Sequence, residues 1–325
     1  MVALQLIGGF LLLLLGGNYL VEGGVAIARK FRVSPLVIGM TIVAMGTSAP
    51  ELIVSVQAAF NGSPGIAMGN VIGSNIANIG LILGLTALIY PIHVNRNSVK
   101  TDGPVMLLTS LLLIAAASTG IGLNRLEGLI FVFLMVAFVI YSIRVGKKTE
   151  EVEDKPRPLW LASLMIVFSG LALAIGSDLL VTGAVTVARL MNVSEKVIGL
   201  TVVAIGTSLP ELAASLVAAF KKEMDISIGN IIGSNIFNIL SVLGFASLIH
   251  PIRFEFSDYI GDLLLMLAFA VALIVFVLPW RKNWAMFVRT KHPAAFAHIT
   301  GGVLGRVSGG ILLIAYVGYC YIVLL

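Results

Sequence analysis

Apolar stretches long enough to cross a lipid bilayer recur along the whole of this 325-residue chain, and nothing constrains its fold more. A hydrocarbon core of roughly 30 Å takes about 20 residues of helix, and only helices or closed barrels satisfy their backbone inside it. The alternating segments of a barrel are absent, so the chain reads as an all-α polytopic membrane protein. Ten transmembrane helices are predicted, over residues 2–27, 34–60, 65–91, 102–121, 124–145, 159–187, 194–219, 225–250, 258–279 and 300–324. Composition agrees: 11% of residues are charged, less than half the share in a soluble domain. The first span lacks a basic leader and an A-x-A cleavage site, and it has a counterpart later in the chain, so it is read as a retained helix.

The net charge of +5 does not point to nucleic acid, because the basic residues are sorted by side. The loops and ends after odd-numbered spans carry 17 of the 21 Lys and Arg, leaving Arg125, Arg189, Lys196 and Arg253 on the other side. By the positive-inside rule the rich side is cytoplasmic, which predicts a multi-pass plasma (inner) membrane protein with both termini outside and the linker 146–158 in the cytoplasm. The single cysteine, Cys320, excludes an intramolecular disulfide or a thiolate cluster. His93, His250, His292 and His298 lack metal-ligand spacing and read as interfacial or structural.

The chain also contains itself twice. Residues 39–92 aligned without gaps on 199–252 share 30 identities in 54 positions, an offset of 160. A weaker match precedes it, where NYLVEGGVAIARKFRVS (18–34) faces DLLVTGAVTVARLMNVS (178–194). Three segments follow: a first five-helix repeat (1–145), a charged linker (146–158) and a second five-helix repeat (159–325). Because five is odd, the second copy enters from the opposite side. The halves are therefore predicted to be inverted repeats, an architecture of secondary transporters working by alternating access.

Each copy places its most awkward residues at membrane depth, in GTSAPE (46–51) and GTSLPE (206–211). Pro50 lacks an N–H and its ring clashes with the carbonyl of Gly46, so the helix must bend or break just before it. Carbonyls from Ala44 to Gly46 are expected to lose their helical partners. Thr47 and Ser48 stand on or next to the face of Glu51, as Thr207 and Ser208 do for Glu211. A buried carboxylate costs roughly 3 kcal/mol on insertion scales, and no Lys or Arg in these helices compensates it. The following spans carry GNVIGSNIANIG (69–80) and GNIIGSNIFNIL (229–240), which add Ser74, Asn78, Ser234 and Asn238, with Asn70, Asn75, Asn230 and Asn235 nearby. Gly69 with Gly73, and Gly229 with Gly233, read as rows for close helix packing. All these donors are hard oxygens, suited to Ca²⁺ or Na⁺ and poorly suited to zinc or copper. Two carboxylates balance one divalent cation, and three monovalent ions would leave a net positive charge, which predicts electrogenic exchange.

The doubled GTSxPE and GNxxGSNxxN motifs resemble the alpha repeats of the sodium/calcium exchanger family, within the calcium/cation antiporter superfamily, over essentially the whole chain. The short linker is similar to that of the compact prokaryotic members. The resemblance implies that Glu51 and Glu211 are central ligands shared by Ca²⁺ and Na⁺. It implies that Thr47, Ser48, Thr207 and Ser208 supply hydroxyl and backbone oxygens, that the carbonyls of Ala44 and Ala204 serve outlying sodium sites, and that Ser74 and Ser234 complete them. Asn78 matches the family's usual amide, whereas Asn238 stands where many relatives have aspartate, which weighs against potassium dependence. The first and sixth spans, rich in glycine at Gly16, Gly17, Gly23, Gly24, Gly170, Gly176 and Gly183, resemble sliding gate helices. Glu22 and Asp178 on them read as interfacial.

The expected function is therefore Na⁺/Ca²⁺ antiport, with H⁺-coupled or K⁺-dependent exchange as the alternatives. The expected ligands are transported inorganic cations (Ca²⁺ and Na⁺, with H⁺ as a rival) in a lipid bilayer, with no cofactor, no nucleic acid and no required protein partner. An intramembrane hydrolase lacks a nucleophile or a histidine pair, and a passive channel is disfavoured by two fixed carboxylates that bind strongly.

Overall fold

Two helices, Pro64–Ile89 (α4) and Met224–Ile249 (α10), form the centre of the protein, and their sequences explain why. Both are rich in small and apolar residues on every face, and 72% and 83% of their apolar windows are buried, against 22–44% in six other long helices. A helix apolar all round belongs inside a bundle or a membrane. The structure, a computed structural model, describes residues 1–94, 98–120, 122–146, 157–193, 204–278 and 302–324.

Around this centre lie Val2–Phe31 (α1), Lys100–Ser118 (α5), Arg125–Val145 (α6), Leu159–Leu190 (α7), Phe256–Val277 (α11) and Arg306–Leu324 (α12). Pro35–Thr47 (α2) and Ala49–Phe60 (α3) form one broken span bent by 47°. Ala204–Thr207 (α8) and Leu209–Phe220 (α9) follow α7 in the second half. The fold is all-helical and polytopic: among the described residues eight helices are long and apolar enough to cross a membrane, and the bent pair makes a ninth. The predicted span 194–219 is described only from Ala204 onward, and most of the linker, residues 147–156, lies outside the described residues.

The predicted span 300–324 needs correction, because its helix begins at Arg306. Val303–Leu304 instead pair antiparallel with Ile92–His93, and the Val94 N–H donates to Gly302 O at 2.9 Å. Burial in this ribbon holds the His93 imidazole pKa below its usual value. The second half ends its central helix similarly, with Ile252 bridged to Leu123 at 2.9 and 3.0 Å. Pro91 and Pro251, which cannot donate, precede both extended residues.

The long helices α1 and α7 run antiparallel in close contact. Gly9 lies against Gly176 and Leu180, Gly16 against Leu173, and Gly23 against Ala162 and Ile166. A Cβ at Gly9 would stand 2.7 Å from Gly176 O, so only glycine allows this approach. At the centre, Gly229 and Gly233 of α10 pack on the backbone of Leu36 and Met40 in α2. For Gly69 and Gly73, an added Cβ meets nothing within 4 Å among the described residues. The segment equivalent to 36–40 is 196–200, outside them.

Candidate cation site

Pro50 and Pro210 sit in the first turn of α3 and α9, where a missing N–H costs least. The chain breaks two residues earlier, at Ser48 (φ −85°, ψ 7°) and Ser208 (φ −90°, ψ 4°), both in the sparsely populated bridge region that turns and functional residues favour. Each break delivers a glutamate into the first turn of the next helix. Glu51 and Glu211 are 0% and 1% exposed, and each lies within electrostatic reach of the other. Among the described residues no basic side chain pairs with either carboxylate.

The Ala44 carbonyl does not lose its helical partner in this conformation. Ala44 O still accepts from Ser48 N at 2.9 Å and from Thr47 Oγ1 at 3.2 Å, because the bend falls just after that hydrogen bond closes. In the second copy Ser208 N turns to Ile205 O at 3.1 Å, away from Ala204.

The two breaks meet across the molecule. Ser48 Oγ donates to Glu211 Oε1 at 3.0 Å. The single Thr47 hydroxyl proton is shared between Ala44 O and Asn230 Oδ1, each 3.2 Å from Oγ1, which also lies 3.4 Å from Ser234 Oγ. Asn238 Nδ2 donates to Asn75 Oδ1 at 3.0 Å, and Asn75 Nδ2 donates to Asn235 O at 3.2 Å. Asn78 and Asn238 each open a π-helical turn, Asn78–Leu83 and Asn238–Leu243, and such widened turns concentrate at functional sites. Ser74 is buried beside them, while Thr207 is partly buried at the end of α8.

Several buried oxygens here have no hydrogen-bond partner among the described residues: Glu51 Oε1 and Oε2, Glu211 Oε2, Ser208 Oγ, Asn78 Oδ1 and Asn238 Oδ1. Unpartnered buried polar atoms are rare and call for an explanation. All six are hard oxygens, two of them from one carboxylate, the donor chemistry that suits Ca²⁺ or Na⁺ rather than zinc or copper, and among the described residues no group of three or more His, Cys, Asp or Glu is placed to hold a metal ion.

Residues 1–144 and 161–325 match the family described as sodium/calcium exchanger protein. The chain belongs to the sodium/calcium exchanger family. It is 41% identical to the putative antiporter CaxA of Alkalimonas amylolytica, covering 97% of this chain and 96% of that protein. It is 31% identical to the sodium/calcium exchanger MaX1 of Methanosarcina acetivorans, over 90% and 96%. Its fold superposes on the sodium-calcium exchanger NCX_Mj, soaked with 10 mM Na⁺ and 10 mM Sr²⁺, with a TM-score of 0.79 and 32% identity over 98% and 97% of the two chains. The protein is thus a multi-pass membrane cation antiporter of the compact type, a transporter and not an enzyme.

Around the exchanger's carboxylates the structure adds residues that the motifs alone did not single out. Asn70 Nδ2 donates to Ser55 Oγ at 2.9 Å and Glu51 O at 3.1 Å; Asn230 Nδ2 donates to Ser215 Oγ at 3.0 Å and Glu211 O at 3.5 Å. These paired clamps fix each glutamate-bearing helix to the next. Ser55 and Ser215 are identical across the 160-residue offset, and that identity was their only signal. Ser177 of α7 donates to Gly206 O at 2.5 Å, capping the carbonyl that Pro210 leaves without a helical partner. It had no signal in the repeat, because its counterpart is Gly17.

Proposed function

We propose that the protein exchanges Na⁺ for Ca²⁺ across the plasma (inner) membrane by electrogenic alternating access. The six unpartnered buried oxygens around Glu51 and Glu211 carry this reading. Left dry, each neutral one costs about 1–3 kcal/mol and each ionised one more, and among the described residues no basic side chain offsets them. A mobile cation is the counter-charge that fits. The proposed ligands are Glu51, Glu211, Thr47, Ser48, Thr207, Ser208, Ser74, Asn78, Ser234 and Asn238, with the carbonyls of Ala44 and Ala204 serving sodium as partners change. One Ca²⁺ balances the two carboxylates, and a larger number of Na⁺ ions in the same cage moves net charge.

Alternation rests on two inverted five-helix repeats, 1–145 and 159–325, within ten spans. The repeat offset and the antiparallel packing of the counterpart helices α1 and α7 support this architecture. The sorting of basic residues supports a cytoplasmic linker and outward termini.

The test is calcium uptake into reconstituted vesicles loaded with sodium. Uptake is expected on removing external sodium, with a rate that responds to an imposed membrane potential. Uptake indifferent to the sodium gradient but driven by a pH jump overturns sodium coupling in favour of protons, and indifference to voltage overturns electrogenic exchange.

A further inference from the structure

Glu22 lies on α1, outside the cation site, yet it holds two cations. Its Oε1 is 2.7 Å from Lys221 Nζ and its Oε2 is 2.9 Å from an Arg157 guanidinium nitrogen. Asn18 Nδ2 donates to the same Oε1 at 3.3 Å, and Lys221 Nζ donates to Asn18 O at 3.4 Å. The three charged residues come from three places: the last third of α1, the residue ending α9, and the entry to α7.

These places fall into two packed groups. The glycine contacts that bring α1 and α7 together make them a natural unit. That unit rests on α9, where a Cβ at Gly17 would lie 3.1 Å from Ala213 O. Helix α9 carries Glu211 in its first turn and ends at Lys221. The Glu22–Arg157 pair therefore stays within the α1–α7 unit, whereas the Glu22–Lys221 pair crosses from that unit to the carboxylate-bearing helix. The repeat cannot build the same tie at its other end: the residues 160 positions from Glu22 and Lys221 are Thr182 and Asn61, both neutral.

Resting on the alternating-access reading above, we propose that Glu22 and Lys221 form a one-sided latch. The ion pair fastens the α1–α7 unit to the Glu211 helix at one end only and so biases the exchanger towards the conformer whose site opens at the opposite end. By the distribution of basic residues the latched end is the cytoplasmic one. A partly exposed ion pair is a weak bond, which suits a latch: it tilts a two-state equilibrium about twofold to fivefold without locking it.

Sided transport tests this. Glu22→Gln and Lys221→Gln are each expected to lower the half-saturating Ca²⁺ concentration at the cytoplasmic face about twofold to fivefold and to raise it by less at the external face, because apparent affinity scales with the population of the competent conformer. The double variant is expected to go no further than the larger single one. Arg157→Gln, which breaks only the pair inside the unit, is expected to leave the ratio of the two faces unchanged. Shifts in the same direction at both faces, or none, overturn the latch; loss of sodium-dependent flux in the unmodified protein overturns instead the functional reading beneath it. A second measurement needs no transport: spin labels at Phe31→Cys and Phe220→Cys, both exposed at that end, in a Cys320→Ser background. Glu22→Gln is expected to add a longer-distance population, and an unchanged distribution overturns the latch.

Discussion

The segments 44–51 and 204–211 share the same polar residues and the same proline, yet their surroundings differ. Glu211 is anchored by Ser48 at 3.0 Å, whereas both oxygens of Glu51 and the hydroxyl of Ser208 have no partner among the described residues. The carbonyl that Pro210 orphans is capped by Ser177, and the equivalent place beside Pro50 offers Gly17. Ser48 N closes a full helical turn onto Ala44 O, and Ser208 N a tighter one onto Ile205 O. A symmetric sequence held in an asymmetric arrangement is what the proposed alternating-access carrier requires, because its copies would exchange roles between states.

The strongest way to break this comparison is to remove the carboxylates. Glu51→Gln and Glu211→Gln are each expected to reduce sodium-driven calcium uptake on the order of 100-fold or more, since ligand charge sets calcium affinity. A large residual flux in either variant, measured in vesicles, removes that glutamate from the site.

The hydroxyls sharpen the contrast. Ser48→Ala deletes a hydrogen bond to a carboxylate, about 1.5–3 kcal/mol, and is expected to raise the calcium concentration for half-maximal uptake on the order of tenfold. Ser208→Ala deletes a hydroxyl with no such bond in this conformer and is expected to have the smaller effect. Equal effects of the two substitutions would show that the asymmetry is incidental.

The clamps give the next effect. Asn230 holds both Ser215 and Thr47, so Asn230→Ala is expected to slow uptake more than Asn70→Ala, by a factor within the roughly 10–100-fold range seen when groups supporting ligands are lost. The smallest effect concerns stability: Ser177→Ala leaves Gly206 O without its cap and is expected to destabilise the protein by about 1–3 kcal/mol, read as a lower unfolding midpoint in detergent. Gly17 has no equivalent bond to lose.

Much of the fold is legible in the sequence. Apolar length dictates helices, because a bilayer leaves the backbone no other satisfied state. The doubled GTSxPE fixes a break and a carboxylate in each copy, because proline cannot supply the missing hydrogen bond. Those are local rules acting on the residues that obey them. Ser177 capping Gly206 O and Glu22 reaching Lys221 were not legible, for they join residues 29 and 199 positions apart and leave no trace in the repeat. The helical start at Arg306 followed from pairing with a strand more than 200 residues away. Sequence alone determined which groups enter the membrane. Only tertiary structure decided which of two identical groups is anchored and which stands open, because that choice depends on how the copies pack against each other and not on what either contains.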